Sequence, residues 1–323
     1  MLEYMTVEEA LGAFPRLSAL VAGDVCLDRW CAYEPDFAQP SRETGIPRIA
    51  VTSVECTPGA AGTVASNLAA LGCGRVAVLG IVGADGHGHE LRRALRARGI
   101  EDGALLTVPR LLTFTYTKLI NRNSGAEDLP RVDFIRDRDL PDEVEAQLVE
   151  RFTDIAGDFD VVIVSDQAEV AVGATVTPAL RKAISRVRKT VWVDSRARAE
   201  HFRGVVLKLN EQELEEACAR IGHGKDAEAL RRHTQSPVVV VTRGGEGASV
   251  YTDRGVAAAP ARRIEHPVDI CGAGDSFNAG AALMLALTGD PLAAAHFGNL
   301  VASITVMKPG TGTATPAEIL THG

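Results

Sequence analysis

Gly272-Ala273-Gly274-Asp275 joins a permissive backbone to a carboxylate just ahead of an apolar stretch. Gly272 and Gly274 allow backbone angles and close approaches that residues with a Cβ resist. The Ala-rich run 279–287 is long enough for about two helical turns, so the glycines read as a turn entering a helix. A helix start aims N–H groups without acceptors, and the positive end of its dipole, at whatever lies in front, which favours an anion. A carboxylate beside such an anion is electrostatically unwelcome, and general base is the chemistry that gives Asp275 a reason to be there. The same residues also fit an ordinary helix start in which Asp275 complements the dipole.

Other spacings carry chemistry of the same kind. Asn210 and Glu213 stand three apart at a helix opening and share one face. The pair suits water-mediated contact with Mg2+, which keeps most of its waters, and it equally suits a capping box with Asn210 as N-cap. Asp24 and Asp28 follow the apolar run Leu20-Val21-Ala22 and would lie at or past the carboxyl end of a first strand, where open α/β sheets bind ligands; ordinary turn chemistry is the alternative. A second glycine-rich helix entry, 57–62, could hold a substrate on backbone N–H groups or serve tight packing. His87, His89 and Asp85 fall short of a metal site, which needs a further ligand and an open position. No Walker A pattern and no Gly-x-Gly-x-x-Gly after a strand occurs.

These residues need a scaffold, and the chain supplies one. Apolar strand runs at 75–80, 161–164, 190–193, 205–207 and 238–241 alternate with helical patterns near 64–71, 90–98, 142–152 and 177–188. That rhythm predicts an α/β fold, one doubly wound and mostly parallel sheet. Strands ending in Asp28, Asp166, Asp194 and Asn210 would then share one rim. The β-rich pieces 32–57 and 111–136 break the rhythm and predict a small lid over it. The 323 residues, 46% hydrophobic and 24% charged, can bury the core of one such domain. A net charge of −8 speaks against nucleic acid as a partner. Six cysteines without metal spacing, an acidic N-terminus unlike a signal peptide, and no apolar run long enough to span a bilayer predict a cytoplasmic protein.

Taken in order, the chain resembles the ribokinase-like (PfkB-type) carbohydrate kinases from end to end. The stretches that carry the resemblance are 23–30, Ser41-Arg42, Pro58-Gly59, 67–72, 117–119, 131–134, Ser165-Asp166, Asn210 with Glu213, Thr242-Arg243 with Gly247, 272–275 and Asn299. Within that family it looks closest to the heptose 7-phosphate kinase module of ADP-heptose synthase, which phosphorylates the anomeric hydroxyl. The resemblance implies a ribokinase-like sheet with helices on both faces, and an ATP-dependent kinase acting on a sugar or sugar phosphate. It implies Asp275 as base and the backbone of Gly272, Ala273 and Gly274 as the cradle of the transferring phosphoryl group. Asn210 and Glu213 would organise Mg2+–ATP through water, and Thr242, Gly244, Gly247 and Asn299 would line the nucleotide. Asp28, Gly59, Asn67, Lys118 and Asp166 would face the sugar. Asp269 lies where the family places a monovalent-cation loop, K+ being the expected ion. The lid would pair two copies into a homodimer.

The departures fall on the sugar side. The family's Gly-Gly pair is Gly59-Ala60, and the Asn that follows is Thr63, which removes a bidentate hydroxyl partner. Asp-Pro-Lys becomes Asp194-Ser195-Arg196, and Gln167 and Glu169 stand where the family has Tyr and Lys. A Lys-to-Glu change near an anionic substrate costs binding. The nucleotidyltransferase domain of the two-domain enzymes does not appear in this sequence. The rival readings are a kinase for another sugar, a non-catalytic sugar- or nucleotide-binding relative, and a nucleoside kinase. The last would want an aromatic platform, and only 5% of residues are aromatic.

Overall fold

The computed structural model describes residues 5–168 and 172–322. It opens with α1 (Val7–Ala13), started by a capping box between Thr6 and Glu9. Next come β1 (Ser18–Gly23), β2 (Val25–Tyr33), β3 (Val51–Ala60) and α2 (Ala61–Ala70). β4 (Arg75–Leu79), β5 (Ile81–Gly83), α3 (Gly86–Arg96), β6 (Leu106–Val108), β7 (Thr115–Asn121) and β8 (Val132–Phe134) follow. The middle of the chain holds α4 (Asp142–Ile155), β9 (Val161–Asp166), α5 (Pro178–Ile184), β10 (Thr190–Ser195) and β11 (Val206–Asn210). Then α6 (Glu211–Arg220), α7 (Ala227–Thr234), β12 (Val239–Thr242), β13 (Ala248–Thr252) and β14 (Gly255–Ala259) lead into the last three helices. Those are α8 (Ala273–Thr288), α9 (Pro291–Thr305) and α10 (Pro316–His322).

The main sheet has the order β14-β13-β12-β11-β10-β9-β1-β4. From β12 to β4 every neighbouring pair is parallel, and β13 and β14 add an antiparallel edge. Val161–Val164 and Val239–Val241 are buried, as strands covered on both faces must be, which is why they read as unbroken apolar runs. Leu68, Phe277 and Val301 belong to the core on one face, which gathers α2, α8 and α9. Leu148, Leu180, Leu214 and Leu230 belong to the core on the other, under α4, α5, α6 and α7. This is a doubly wound α/β arrangement, helices on both faces of a mostly parallel sheet.

Parallel strands bring their carboxyl ends to one rim. Asp194 lies opposite Lys208, Ser195 opposite Asp166, and Asn210 opposite Thr242. A second, four-stranded sheet, β3-β2-β7-β8, forms the lid. Asp28 sits within β2 on this second sheet, not at the end of a strand of the main one, and that corrects its expected place. The chain leaves β1 at Gly23 with φ +133°, so β1 and β2 are separate strands although only Asp24 divides them. Asp24 marks the crossing: its carboxylate accepts N–H groups of Gln167, Ala168 and Thr175, each at 2.9 Å.

α3 starts at Gly86 rather than Glu90, because Asp85 caps it by accepting the Gly88 N–H at 2.7 Å. Asp85 also accepts the Thr113 N–H and hydroxyl. Its work is structural. Among the described residues no three His, Cys, Asp or Glu side chains are grouped to hold a metal ion, and no helix is long and apolar enough to cross a membrane.

Candidate active site

The start of α8 is built as the glycines demand. Gly272 caps the helix in the left-handed conformation, φ +77°, and a Cβ there would come 3.2 Å from Thr311 Cγ2. The Ala273 N–H reaches Ile270 O at 3.2 Å, while the N–H groups of Gly274 and Asp275, in the first turn, have no acceptor within the helix. The helix is fixed from behind by α9. A Cβ on Gly280 would lie 2.6 Å from Val301 Cγ2, so glycine is what lets the two helices close, and Ser276 Oγ meets Thr305 Oγ1 at 2.7 Å.

Asp275 keeps some exposed surface, but its carboxyl is set deep in the protein. Burial, and next the Asp194 carboxylate, push it up to about 7, against the pull of Lys208. That value suits a base working near neutrality. Beneath it lies a buried charge cluster. Lys208 Nζ donates to Asp194 Oδ2 at 3.2 Å, and Asn278 Nδ2 donates to the same oxygen at 2.6 Å. Trp192 Nε1 in turn holds Asn278 Oδ1 at 3.0 Å. Burial works against the Lys208 charge, yet Asp194, Glu213 and Asp275 together raise its pKa. Lys208 Nζ also lies 3.2 Å from where a Cβ on Gly274 would be, so an ammonium stands beside the first-turn N–H groups of α8.

Two cavities meet at this helix start. The first, about 460 Å³, lies under the lid and is lined by Asp24, Asp28, Trp30, Ala60, Thr63, Tyr116, Lys118, Arg131, Arg136, Arg196, Gly272 and Asp275, among others. The second, about 400 Å³, is lined by Lys208, Asn210, Thr242, Gly244, Gly247, Ala273, Gly274, Phe277 and Asn299, among others. Gly272 and Asp275 face one cavity, Ala273 and Gly274 the other. The arrangement can pass a group from a ligand in the second cavity to a ligand in the first.

The residues singled out from the sequence are not all in these walls. Asp28 is, and burial first of all raises its carboxyl to about 6. Lys118 is too, its Nζ 4.4 Å above the Trp30 ring and 3.7 Å from Glu127. Gly59 sits behind Asp28, where a Cβ would come 2.5 Å from Asp28 Oδ2. Asp166 is not a cavity residue: it is fully buried, paired with Arg198 at 2.5 Å and bonded by Ser195 Oγ at 2.6 Å. Asn67 is fully buried as well, donating to Thr63 O at 3.0 Å, with no partner for its Oδ1 among the described residues. The resemblance implies that both face the sugar; in the structure both are buried and neither is among the residues lining the first cavity. Glu169 lies outside the described residues.

Asn210, Thr242, Gly244, Gly247 and Asn299 line the second cavity. Asn299 donates to Ala259 O at 2.8 Å, which ties α9 to β14. Asn210 and Glu213 form the capping box: Asn210 Oδ1 accepts the Glu213 N–H at 2.8 Å, and Glu213 Oε2 accepts the Asn210 N–H at 2.7 Å. Burial, then the Asp194 carboxylate, raise the Glu213 pKa. Asp269 Oδ1 accepts the Cys271 N–H at 2.8 Å and Oδ2 the Gly310 N–H at 3.0 Å, pinning the 306–312 loop to the entry of α8. Lys208 was not singled out from the sequence. The available signal was a lone Lys within the apolar run 205–209, two residues before Asn210.

The fold and the paired cavities suit an ATP-dependent sugar kinase. The chain belongs to the pfkB family of carbohydrate kinases, whose description, pfkB family carbohydrate kinase, matches residues 21–318. It is similar to the bifunctional protein HldE of Caulobacter sp. (strain K31), 34% identical over 96% of this chain and 64% of the relative. It is also similar to the bifunctional protein HldE of Trichlorobacter lovleyi, 31% identical over 97% of this chain and 64% of the relative. The chain thus spans about two thirds of the length of these relatives, at 64%. Of solved structures, phosphofructokinase-2 from Escherichia coli in complex with potassium aligns with a TM-score of 0.74 at 19% identity, over 95% of this chain and 98% of that one. Ribokinase from Thermotoga maritima aligns with a TM-score of 0.70 at 18% identity, over 95% and 99%.

Proposed function

We propose that this sugar kinase phosphorylates a sugar phosphate, heptose 7-phosphate at its anomeric hydroxyl being the first candidate. The acceptor sits in the first cavity, ATP in the second, and Asp275 takes the acceptor proton as the phosphoryl group crosses the start of α8. The supporting observation is that Asp275, with its carboxyl raised to about 7, stands where the two cavities meet. Phosphoryl transfer asks mainly for position and charge stabilisation. The first-turn N–H groups of α8 and the Lys208 ammonium supply both, and Asp28 and Lys118 would hold the acceptor.

The case for a phosphate on the acceptor rests on Arg136. It is buried in the cavity wall, and burial lowers its pKa only to about 10, so it stays charged. Among the described residues its hydrogen bonds go to Leu112 O, Gly173 O, Thr175 Oγ1 and Ile81 O, all neutral. The Asp24 and Asp85 carboxylates act on it without a direct bond, so the guanidinium favours an anion in the cavity it lines. ADP release from ATP should therefore be faster with phosphorylated acceptors than with the corresponding free sugars, by about 100-fold or more in kcat/KM. Equal turnover of free and phosphorylated sugars would remove the phosphate from this reading.

Mg2+ would sit where the two cavities meet, with Asn210 and Lys208 lining the second and Asp275 the first. Asp194, Glu213 and Asp275 act together on Lys208, Arg196 acts on Glu213 and Asp275, and among the described residues Asp194 Oδ1 is buried without a hydrogen-bond partner, a set of carboxylates suited to a cation. Bound there, Mg2+ would supply charge neutralisation for the phosphates, with Asn210 and Glu213 holding its waters. K+ at the Asp269 loop is the remaining proposal; both carboxylate oxygens there already accept N–H groups.

The lid also offers a partner surface. β3 and β8 are its edges, and Val51, Val54 and Val132 stand exposed on them at 42%, 48% and 48%. Open apolar edges invite strand pairing, so a homodimer through the lid is expected. Light scattering should give twice the chain mass, returning to one chain for Val54→Lys. A wild-type monomer at tens of micromolar would refute the pairing.

A further inference from the structure

Ala60 has φ +51° and ψ −118°. Those are the angles of the first central position of a type II′ turn, where glycine is the usual residue. A residue with a Cβ is strained there, and such strain persists only where the surroundings over-determine it. The other described non-Gly residues with positive φ, Arg110 and Gln235, lie away from the first cavity, and Gln235 ends α7 in ordinary left-handed geometry. Ala60 lines that cavity.

Its surroundings hold it there. Ala60 pairs with Val25 across β2 and β3, and the Ala61 N–H donates to Asp24 O at 2.9 Å. One helical turn on, Thr63 is buried and also lines the cavity. Its hydroxyl donates to Pro58 O at 3.2 Å. Its Cγ2 lies 3.5 Å from where a Cβ on Gly272 would be, so a methyl group faces the start of α8. Beside the reacting end, the cavity is walled by two methyls.

We propose that Ala60 determines acceptor specificity. Its methyl, with Thr63 Cγ2, disfavours a hydroxyl on the acceptor carbon facing this wall, so a deoxy sugar phosphate should outrank heptose 7-phosphate, whose carbons beside the anomeric position carry hydroxyls. The inference rests on assigning the first cavity to the acceptor. A hydroxyl pressed on two methyls loses its water partners and gains none. A difference of one such group in an apolar pocket discriminates by about 10–200-fold.

The test uses matched acceptors that differ by one hydroxyl, such as ribose 5-phosphate with 2-deoxyribose 5-phosphate and glucose 6-phosphate with 2-deoxyglucose 6-phosphate. Binding is measured by calorimetry and phosphorylation by ADP release, for the wild type and Ala60→Gly. The wild type should favour the deoxy member of at least one pair by about 10-fold or more. Ala60→Gly should bring that ratio towards one, with a Tm no lower than the wild type, because glycine relieves the strain. Unchanged ratios, no discrimination in any pair, or no binding at all would overturn the proposal, and a lowered Tm would contradict the strain. The kinase reading fails separately: if binding ratios shift while neither protein turns over any acceptor, the wall stands and the kinase does not. If phosphorylation proceeds with unaltered ratios, the kinase stands and the wall does not.

Discussion

Asp275→Asn should lower kcat by about 10²–10⁴-fold, the usual contribution of a positioned base, while ATP and acceptor bind much as before. The same substitution should stabilise the fold at alkaline pH. In the folded wild type the Asp275 carboxyl is raised to about 7, against about 3.9 for an unfolded Asp. The folded state therefore takes up a proton that the unfolded chain does not hold between these values. The stability this confers is fully present below about pH 4 and is lost as pH rises through about 7. Asn carries no such liability, so its advantage should grow from pH 4 to pH 8 and approach the order of 4 kcal/mol above it. Tm scans of both proteins across that range measure it directly. A constant difference, or an advantage at pH 4 that vanishes at pH 8, would show that Asp275 is not the buried, repelled carboxyl described.

Lys208→Met should be the most costly single change to the fold near the site. Lys208 and Asp194 are buried together at 3.2 Å, with side chains 6% and 7% exposed. Breaking such a pair from one side leaves a buried charge uncompensated, a loss of about 3–5 kcal/mol. Asp275 should then hold its proton to higher pH, since Lys208 now favours its charged form, and residual activity should need a more alkaline medium. Adding Asp194→Asn should recover much of the stability, because the orphaned carboxylate is removed. Urea titrations of the two single variants and the double variant close the cycle. A loss under about 1 kcal/mol, or strict additivity, would mean that the pair is not coupled as its geometry implies.

Much of this was legible in the sequence because it depends on local chemistry. Strands buried on both faces leave continuous apolar runs, so β9, β10 and β12 announced themselves, and with them a parallel sheet. The start of α8 was legible because a helix entry with two glycines and a carboxylate has few uses. The Asn210–Glu213 pair was legible as a capping box, which it forms, and its metal role remains a proposal. What the sequence hid depends on neighbours far along the chain. Asp28 read as the end of β1 because one residue, Asp24, is all that separates a core strand from a lid strand. Asp166 read as a ligand because its partner, Arg198, is 32 positions away. Lys208 was hidden in an apolar strand, where its meaning comes from Asp194 and Gly274, which only the fold brings to it. α7 and α10 were also missed, both short and without long periodic faces.

The central claim is that Asp275 governs transfer of the γ-phosphoryl group from one cavity to the other. It is tested most directly by following the label of γ-32P-ATP with the best acceptor from the panel. With the wild type and Mg2+, label should appear on the sugar and not in inorganic phosphate. With Asp275→Asn, transfer should fall by about 10²–10⁴-fold while ATP binding is retained. Label passing to the sugar at the same rate in both proteins, or passing only to water, would contradict the account.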